Sequence, residues 1–167
     1  TAKEAVAILS GRQMARSAES SGARASASER VTAPVQVNVT RATSDASGRL
    51  QVLADTAAAC TLCGLHATRS TVVFGEGSPT ADVVVVGEAP GQEEDRTGRP
   101  FVGRAGKLLD LMLASAGFPR AEVYICNVLK CRPPENRNPL PVEVSPCTTN
   151  FLHGQLEAIA PRVLLAV

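Results

Sequence analysis

The sequence predicts an α/β protein with a central parallel sheet between two layers of helices. Three segments carry this prediction. Asp82–Val86 contains the uninterrupted valine run Val83–Val86, as in a strand buried on both faces, and Glu122–Val128 is predicted to be a second strand. Between them, Arg104–Ala116 repeats apolar residues at helical spacing, and Gly117 follows at the position where a helix often ends. The order strand, helix, strand implies a parallel pair joined by a right-handed crossover.

The remaining elements are predicted from shorter patterns. Leu50–Ala59 is expected to be a short helix and Thr71–Phe74 an edge strand. Cys147–Ala160 places apolar residues at helical spacing and ends before Pro161. Arg162–Val167 predicts a third buried strand. Because the chain begins without Met and stops within this strand, we expect a fragment whose sheet is incomplete at the C-terminus.

Residues 1–49 are predicted to be a low-complexity, disordered tail, and residues 50–167 the folded domain. The tail is rich in Ala, Ser, Arg and Thr, a composition that buries too little apolar surface to offset chain entropy. The alternative is a basic arm that binds DNA. The interspersed acidic residues, with no block of like charge, count against it.

Composition excludes some classes of protein. Of the 167 residues, 44% are hydrophobic, which suffices for a core, but only 3% are aromatic, so the core must be aliphatic. No apolar run reaches the roughly 18 residues of a membrane span, so we expect a cytoplasmic protein without membrane contact. The net charge of +1 gives no argument for or against nucleic acid.

The turn after the first predicted strand is the best candidate for a binding site. Residues 87–91 read Gly-Glu-Ala-Pro-Gly, and the acidic residues Glu93, Glu94 and Asp95 follow. In open α/β sheets, ligands bind at the carboxyl ends of the strands. We therefore expect this turn to form the floor of a pocket.

Four of the five cysteines predict a metal centre. Cys60 and Cys63 form a CxxC pair, and Cys131 and Cys147 bound a proline-rich loop far along the chain. Four thiolates from two segments hold either zinc or an iron–sulfur cluster, and the spacing does not separate the two. Unrelated buried cysteines are the alternative. Cys126 lies inside a predicted strand and is expected to be a core residue.

Several long motifs resemble the type-4 uracil-DNA glycosylases. They are GEAPGQEED from Gly87, GRPFVGRAGKLLD from Gly98 and VYICNVLKCRPPENRNP from Val123, followed by a cysteine after Pro141-Val-Glu. The resemblance covers Cys60 to Val167. It implies a uracil-DNA glycosylase-like three-layer α/β/α fold, uracil-containing DNA, single- or double-stranded, as substrate, and the release of uracil in base excision repair.

The resemblance also implies a cofactor and roles for particular residues. The positions matching the family's [4Fe–4S] ligands are Cys60, Cys63, Cys131 and Cys147. Phe101 matches the aromatic residue that stacks on uracil, and Asn127 the amide that pairs with its edge. Glu88 matches the acidic residue expected to orient water or stabilise the sugar cation, flanked by backbone groups of Gly87 and Ala89.

Three kinds of alternative accompany these roles. Glu94 matches a position near uracil C5 that would exclude the methyl group of thymine, although Glu93 and Asp95 beside it read equally as a solvated acidic run. Phe101 reads equally as a core residue, and Asn127 and Glu88 as turn residues. Basic residues near these motifs are expected to contact the DNA backbone, with ordinary surface charge as the alternative: Arg96, Arg99, Arg104, Lys107, Lys130, Arg132 and Arg137.

One expected group has no match in the chain. The family carries a catalytic histidine in a His-Pro motif near its C-terminal end, whereas neither His66 nor His153 precedes proline. We therefore expect a monomeric slice of a glycosylase that is active in its complete form. The alternative is an inactive remnant or a cluster-bearing DNA-binding module.

Overall fold

The computed structural model describes residues 39–167, with side chains from residue 45. The predictions made for residues 1–38 lie outside this range. The first helix of the described residues, α1, is Val39–Ala58, so the predicted start at Leu50 is wrong. Ala46, Leu50 and Ala57 are buried at helical spacing, which explains why the helix extends upstream.

The central sheet has the strand order β1-β3-β2-β4. The strands are β1 (Glu76–Gly77), β2 (Val83–Gly87), β3 (Tyr124–Asn127) and β4 (Val163–Ala166). β2 lies parallel to both β3 and β4, which confirms the predicted parallel pair, while β1 is antiparallel to β3.

Two strand predictions need correction. Thr71–Phe74 is not a strand. The Val73 amide donates to the Lys130 carbonyl (2.8 Å), but pairing with β3 begins only at Glu76. β4 was expected to be buried, yet Val163 and Leu165 are 53% and 42% exposed. It is the edge strand of the sheet formed by residues 39–167.

Helices cover both faces of the sheet, which confirms the three-layer arrangement. Val85 and Ile125 point to one face, where they meet α3 (Arg104–Ser115) through Leu109 and Leu113. Val84, Val86, Tyr124 and Cys126 point to the other face and pack with Leu50 and Leu152. The alternation along each strand thus builds two separate cores.

The α3 helix is confirmed, but its predicted apolar face is only partly right. Leu109 and Leu113 are buried, whereas Leu108 and Met112 are each 59% exposed. A narrow stripe is enough to cover the sheet, so the flanking apolar positions remain in solvent. Gly117 has φ +80°, as expected of the residue that terminates a helix.

The last helical segment begins at Pro141 rather than at Cys147. It comprises α4 (Pro141–Cys147), a π-helical turn (Thr148–Leu152) and α5 (His153–Ile159). Proline suits the first turn of a helix, and the Glu143 carboxylate accepts a hydrogen bond from the Leu140 amide (2.9 Å).

Between β2 and α3 lies a further short helix, α2 (Gln92–Thr97), which the sequence did not predict. None of the helices in the described residues has the length and apolarity needed to cross a membrane.

Candidate functional site

A pocket of about 350 Å³ opens at the carboxyl ends of β2 and β3. All six residues predicted to form a uracil site line it: Gly87, Glu88, Ala89, Glu94, Phe101 and Asn127. The parallel ladder explains this convergence. Gly87 is paired with Asn127 at the ends of adjacent strands, and the ladder continues through Val128 N–H to Gly87 O (2.8 Å) and Leu129 N–H to Glu88 O (3.0 Å).

Gly87 allows the two side chains of the pocket to approach the backbone. A Cβ at this position would lie 2.5 Å from Phe101 Cζ and 2.4 Å from Asn127 Oδ1. Both distances are shorter than side-chain contacts permit. Glycine at residue 87 is therefore what brings the aromatic ring and the amide together over the strand end.

Asn127 is 2% exposed, and its backbone is fixed from below by Lys130, whose Nζ donates to the Asn127 carbonyl (2.7 Å). Within residues 39–167, the side-chain amide of Asn127 has no hydrogen-bond partner. In the same range, every side-chain polar atom that is fully buried does have a partner, so the unpaired amide keeps some access to solvent. The amide must therefore face the pocket. It offers one acceptor and two donors to a ligand.

Phe101 has an unusual backbone, with φ +52°. A residue other than glycine pays of order 1–3 kcal/mol for this left-handed conformation. Gly106 in the first turns of α3 makes the conformation possible, because a Cβ there would lie 1.8 Å from the Phe101 carbonyl oxygen. The predicted core packing of Phe101 is also present in part, since the ring contacts the apolar core beneath α3.

Glu94 and Asp95 serve as internal acceptors rather than as a solvated run. Glu94 Oε1 accepts from the amides of Val102 (2.9 Å) and Gly103 (2.8 Å), and Oε2 from the amide of Gly91 (3.1 Å). Asp95 is 5% exposed and accepts from the Ser70 amide (3.0 Å). Glu93, by contrast, is exposed and pairs with Arg96. The side chain of Glu88 is exposed at the pocket mouth.

The predicted basic surface needs one clear correction, which is Lys130. It is 1% exposed, donates to Gln155 Oε1 (2.5 Å) and lies 5.7 Å from the centroid of the Phe74 ring. Burial lowers the pKa of this ammonium group. A side chain so enclosed has no access to a phosphate, so its predicted contact with DNA is wrong.

The other predicted basic residues lie nearer the surface. Arg104 and Lys107 are exposed at the start of α3. Arg137 lines the pocket, and its guanidinium pairs with the Glu143 carboxylate (2.6 Å). Arg132 donates to Asn136 Oδ1 (2.7 Å) in the same loop. Asn136 and its neighbour Glu135 both have positive φ, so this loop has a strained, fixed shape.

The four predicted cysteine ligands converge on a second, smaller cavity. Cys60, Cys63, Cys131 and Cys147 all line it, and none forms a disulfide. Leu65 and Phe151 pack against the same group. The predicted set is thus brought together, whereas Cys126 is fully buried in the core under the sheet, as expected.

The chemistry of this cavity fits a metal centre bound by thiolates. Arg69 Nη1 donates to Cys131 Sγ (3.2 Å), and Arg69 Nη2 to the Ala58 carbonyl (3.0 Å). Burial raises the pKa of Cys131 and raises that of Cys147 to about 11, so free thiols would stay protonated here. A bound cation is what makes such thiolates stable. Arg69 is a single arginine six residues after Cys63, and no pattern in the sequence points to this contact.

Four thiolates at one cavity are a donor set that both an Fe–S cluster and a structural zinc accept. In the part of the chain whose side chains are described, residues 45–167, no three His, Cys, Asp or Glu side chains are placed to hold a single metal ion.

Comparison with known proteins identifies the family. Residues 74–167 match the model of the uracil DNA glycosylase superfamily. The chain therefore belongs to that superfamily, as the resemblance of its motifs had indicated. This assignment accounts for the three-layer fold and for the pocket at the strand ends.

Within the superfamily, the chain is similar to several proteins named type-4 uracil-DNA glycosylase. It is 51% identical to that of Thermotoga maritima over 118 residues, which cover 71% of this chain and 61% of the relative. It is 56% identical to that of Archaeoglobus fulgidus over 108 residues, covering 65% and 54% respectively. For the relative from Sulfurisphaera tokodaii, the identity is 43% over 119 residues, covering 71% and 54%. The chain thus spans little more than half the length of these relatives.

Proposed function

We propose that the complete protein is a DNA repair glycosylase that hydrolyses the N-glycosidic bond of deoxyuridine and releases uracil. One observation carries this proposal: the six residues matched to the family's uracil site, drawn from two separate segments, all line a single pocket. The volume of about 350 Å³ lies in the usual range for small-molecule sites.

The base must leave the duplex to enter such a pocket, since its glycosidic bond is not accessible in the stack. Phe101 then lies against one face of the ring. The Asn127 carbonyl oxygen accepts from uracil N3–H, and its NH₂ donates to uracil O4. Cytosine presents an acceptor at N3 and a donor at N4, so it would oppose both groups of the amide.

Bond cleavage separates charge. The C1′–N1 bond breaks, uracil leaves with the electron pair, and the sugar becomes an oxocarbenium-like cation to which water adds. Glu88 at the pocket mouth is placed to orient that water or to stabilise the cation. The adding water gives up one proton, and the uracil anion takes up one proton to leave as neutral uracil. The backbone of Gly87 and Ala89 fixes the edge of the leaving base, and Glu94, through its three amide contacts, holds the surrounding loop in place near uracil C5.

The test is release of free uracil from oligonucleotides that contain one deoxyuridine, in single-stranded and in duplex form. We expect the full-length protein to release uracil and to leave matched oligonucleotides with thymidine or deoxycytidine intact. The two histidines of this chain do not line the pocket, so the 167-residue chain is expected to be far less active. Tight DNA binding by the full-length protein without any uracil release would favour a DNA-binding module instead.

We infer that Cys60, Cys63, Cys131 and Cys147 hold a [4Fe–4S] cluster. Their shared cavity and the Arg69 contact to Cys131 support this. When bound, the cluster would supply a cross-link between the two cysteine segments, and no step of the hydrolysis passes through it. The test is the content of iron and acid-labile sulfide in protein purified without oxygen. A colourless protein with stoichiometric zinc would overturn the assignment.

We further propose that Arg104, Lys107, Arg132 and Arg137 contact DNA phosphates, and that the protein acts as a monomer in the cytoplasm. Arg137 and the strained loop before it border the pocket, where the flanking backbone of a flipped nucleotide would pass. Salt dependence of DNA binding tests this, because each lost phosphate contact reduces the slope by about one unit. Replacing any one of these arginines by methionine without changing the slope would argue against its contact.

A further inference from the structure

Arg120 lies in the connection between α3 and β3. Its guanidinium donates hydrogen bonds to oxygens of three separate segments: the Pro100–Phe101 bend, β1 and α3. Its Nη2 donates to the Pro100 carbonyl (2.6 Å), and its Nη1 donates to the Phe101 carbonyl (3.3 Å). The same guanidinium pairs with Glu76 on β1 (2.7 Å) and with Asp110 on α3 (2.7 Å). The side chain is only 22% exposed.

The two carbonyls that it holds belong to the bend that carries Phe101. That residue has φ +52°, a conformation disfavoured for a side chain of its size, and its carbonyl oxygen is pressed against Gly106. A strained backbone persists only where its surroundings over-determine it. Here the Arg120 guanidinium binds the two carbonyls of the bend, and Gly106 leaves room for the Phe101 carbonyl oxygen.

The two acidic anchors of Arg120 lie outside the Pro100–Phe101 bend, although Glu76 also pairs with Arg99 just before it (2.7 Å). Glu76 is fixed by pairing of β1 with β3, and Asp110 by its place in α3. The planar guanidinium fork allows simultaneous bonds in several fixed directions, which a lysine ammonium does not reproduce. Arg120 therefore transfers the position of the sheet and of α3 to the backbone of Phe101.

We propose that Arg120 is a positioning residue for the base pocket: it holds the Pro100–Phe101 backbone so that the Phe101 ring is presented to the flipped base. This inference rests on the proposed function, because it assigns the ring to base stacking. Arg120 itself does not line the pocket and touches no base.

A double-mutant cycle in the full-length protein tests the proposal. Arg120→Met should lower kcat/KM for uracil release by about 10- to 100-fold, the range of one lost base–aromatic stacking contact. Phe101→Ala should lower it at least as much. If Arg120 acts through Phe101, then Arg120→Met should cost less than about twofold more in the Phe101→Ala background. Equal losses in both backgrounds would overturn the proposal.

Matched variants separate positioning from general stability. Arg162→Met removes an arginine paired with Asp82 at the opposite end of β2 and should leave kcat/KM unchanged. Arg120→Lys should recover only part of the activity, and full recovery would contradict the need for the fork. If Arg120→Met does not fold, Asp110→Asn loosens the same guanidinium from α3, away from the bend, and should lower kcat/KM in the same Phe101-dependent way.

A structural readout keeps the inference separate from the proposed function. In a crystal structure of Arg120→Met or Asp110→Asn, the Phe101 φ angle should leave the left-handed region. If the wild-type protein released no uracil, the proposed function would fail, but this angle would still decide whether Arg120 holds the bend. An unchanged φ in both variants would overturn the positioning role.

Discussion

Gly87 and Asn127 are paired across the two central strands at a distance that leaves no room for a side chain on the glycine. A Cβ at residue 87 would lie 2.4 Å from Asn127 Oδ1. The pair therefore combines a wall of the pocket with the buried amide of Asn127. The pocket keeps its shape because residue 87 has no Cβ atom.

Gly87→Ala should abolish most of the activity while the fold persists. The added methyl group must displace the Phe101 ring or the Asn127 amide, and a misplacement of about 1 Å in an active site costs about 100-fold in rate. Uracil release and thermal unfolding measure the two effects. Gly48→Ala is the control, because it adds a methyl group into open space on α1 and should raise the free energy of unfolding by about 0.5–1 kcal/mol. Unchanged kcat/KM in Gly87→Ala would contradict the proposed pocket.

Asn127→Asp should relax the discrimination against cytosine. A carboxylate lacks the NH₂ donor that uracil O4 requires, whereas a protonated or ionised carboxyl can accept from the exocyclic amine of cytosine. The ratio of kcat/KM for uracil to that for cytosine should therefore fall by about tenfold or more, in line with the ~1–3 kcal/mol that one unmade buried hydrogen bond costs. The same ratio in the variant and in the wild-type protein would count against the edge-reading role.

Glu94→Gln should destabilise the loop between β2 and α3. The carboxylate accepts from three backbone amides, and the amide of glutamine would set an NH₂ against at least one of them. We expect a loss of about 1–3 kcal/mol in the free energy of unfolding. Glu93→Gln is the matched control, since its exposed pair with Arg96 contributes at most about 0.5–1 kcal/mol. Equal losses would mean that the three amide contacts carry no special weight.

The pair of Glu143 and Arg137 should make stability depend on pH in acid. Hydrogen bonding from Arg137 lowers the pKa of the Glu143 carboxyl below its ordinary 4.5. The unfolded chain then binds this proton more readily, so the contribution is complete above about pH 4.5 and is lost as pH falls through the lower pKa of the folded state.

The check is chemical denaturation of the wild-type protein and of Glu143→Gln between pH 3 and pH 7. The difference in unfolding free energy should be largest at pH 7 and shrink below about pH 4.5. Glu157→Gln, at an exposed position of α5, provides the control. A difference that stayed constant over the whole range would show that the carboxyl has no lowered pKa.

Replacement of single cysteines should divide the five into two groups. Cys131→Ala should lose most of the bound iron, because it removes one thiolate of the shared cavity. Cys126→Ala should keep the iron and lose only a modest amount of stability, because Cys126 packs in the core under the sheet. Iron content per chain, with the visible absorption of the cluster, measures this. Iron loss in Cys126→Ala comparable to that in Cys131→Ala would contradict the assignment of ligands.

The elements that the sequence predicts best are those with a local cause. The valine run predicts β2 because such a run favours a strand buried on both faces. Gly117 predicts the end of α3 because glycine readily adopts the positive φ found there. The pocket follows from topology, because the carboxyl ends of two parallel strands meet at one edge. Cys126 was recognisable as core because it lies within a strand.

The predictions that failed depend on partners distant in the chain. Lys130 lies among basic and proline residues and reads as surface, but Gln155 and the Phe74 ring supply the surroundings that bury it. Asp95 reads as solvated because the Ser70 amide that it binds is far away in sequence. Leu108 looks like part of a core-facing stripe, yet the width of the sheet decides which part of the stripe is covered.

The order of the cysteines along the chain gives their shared cavity a topological meaning. Cys60 and Cys63 precede the segment 87–127, which carries the six residues of the predicted uracil site, and Cys131 and Cys147 follow it. A group bound by all four would close that whole segment into a loop of about 70 residues, as a disulfide would. Closure of a loop this long removes about 4 kcal/mol of chain entropy from the unfolded state. The cysteines would thus constrain the segment that carries the predicted uracil site without lining the pocket themselves.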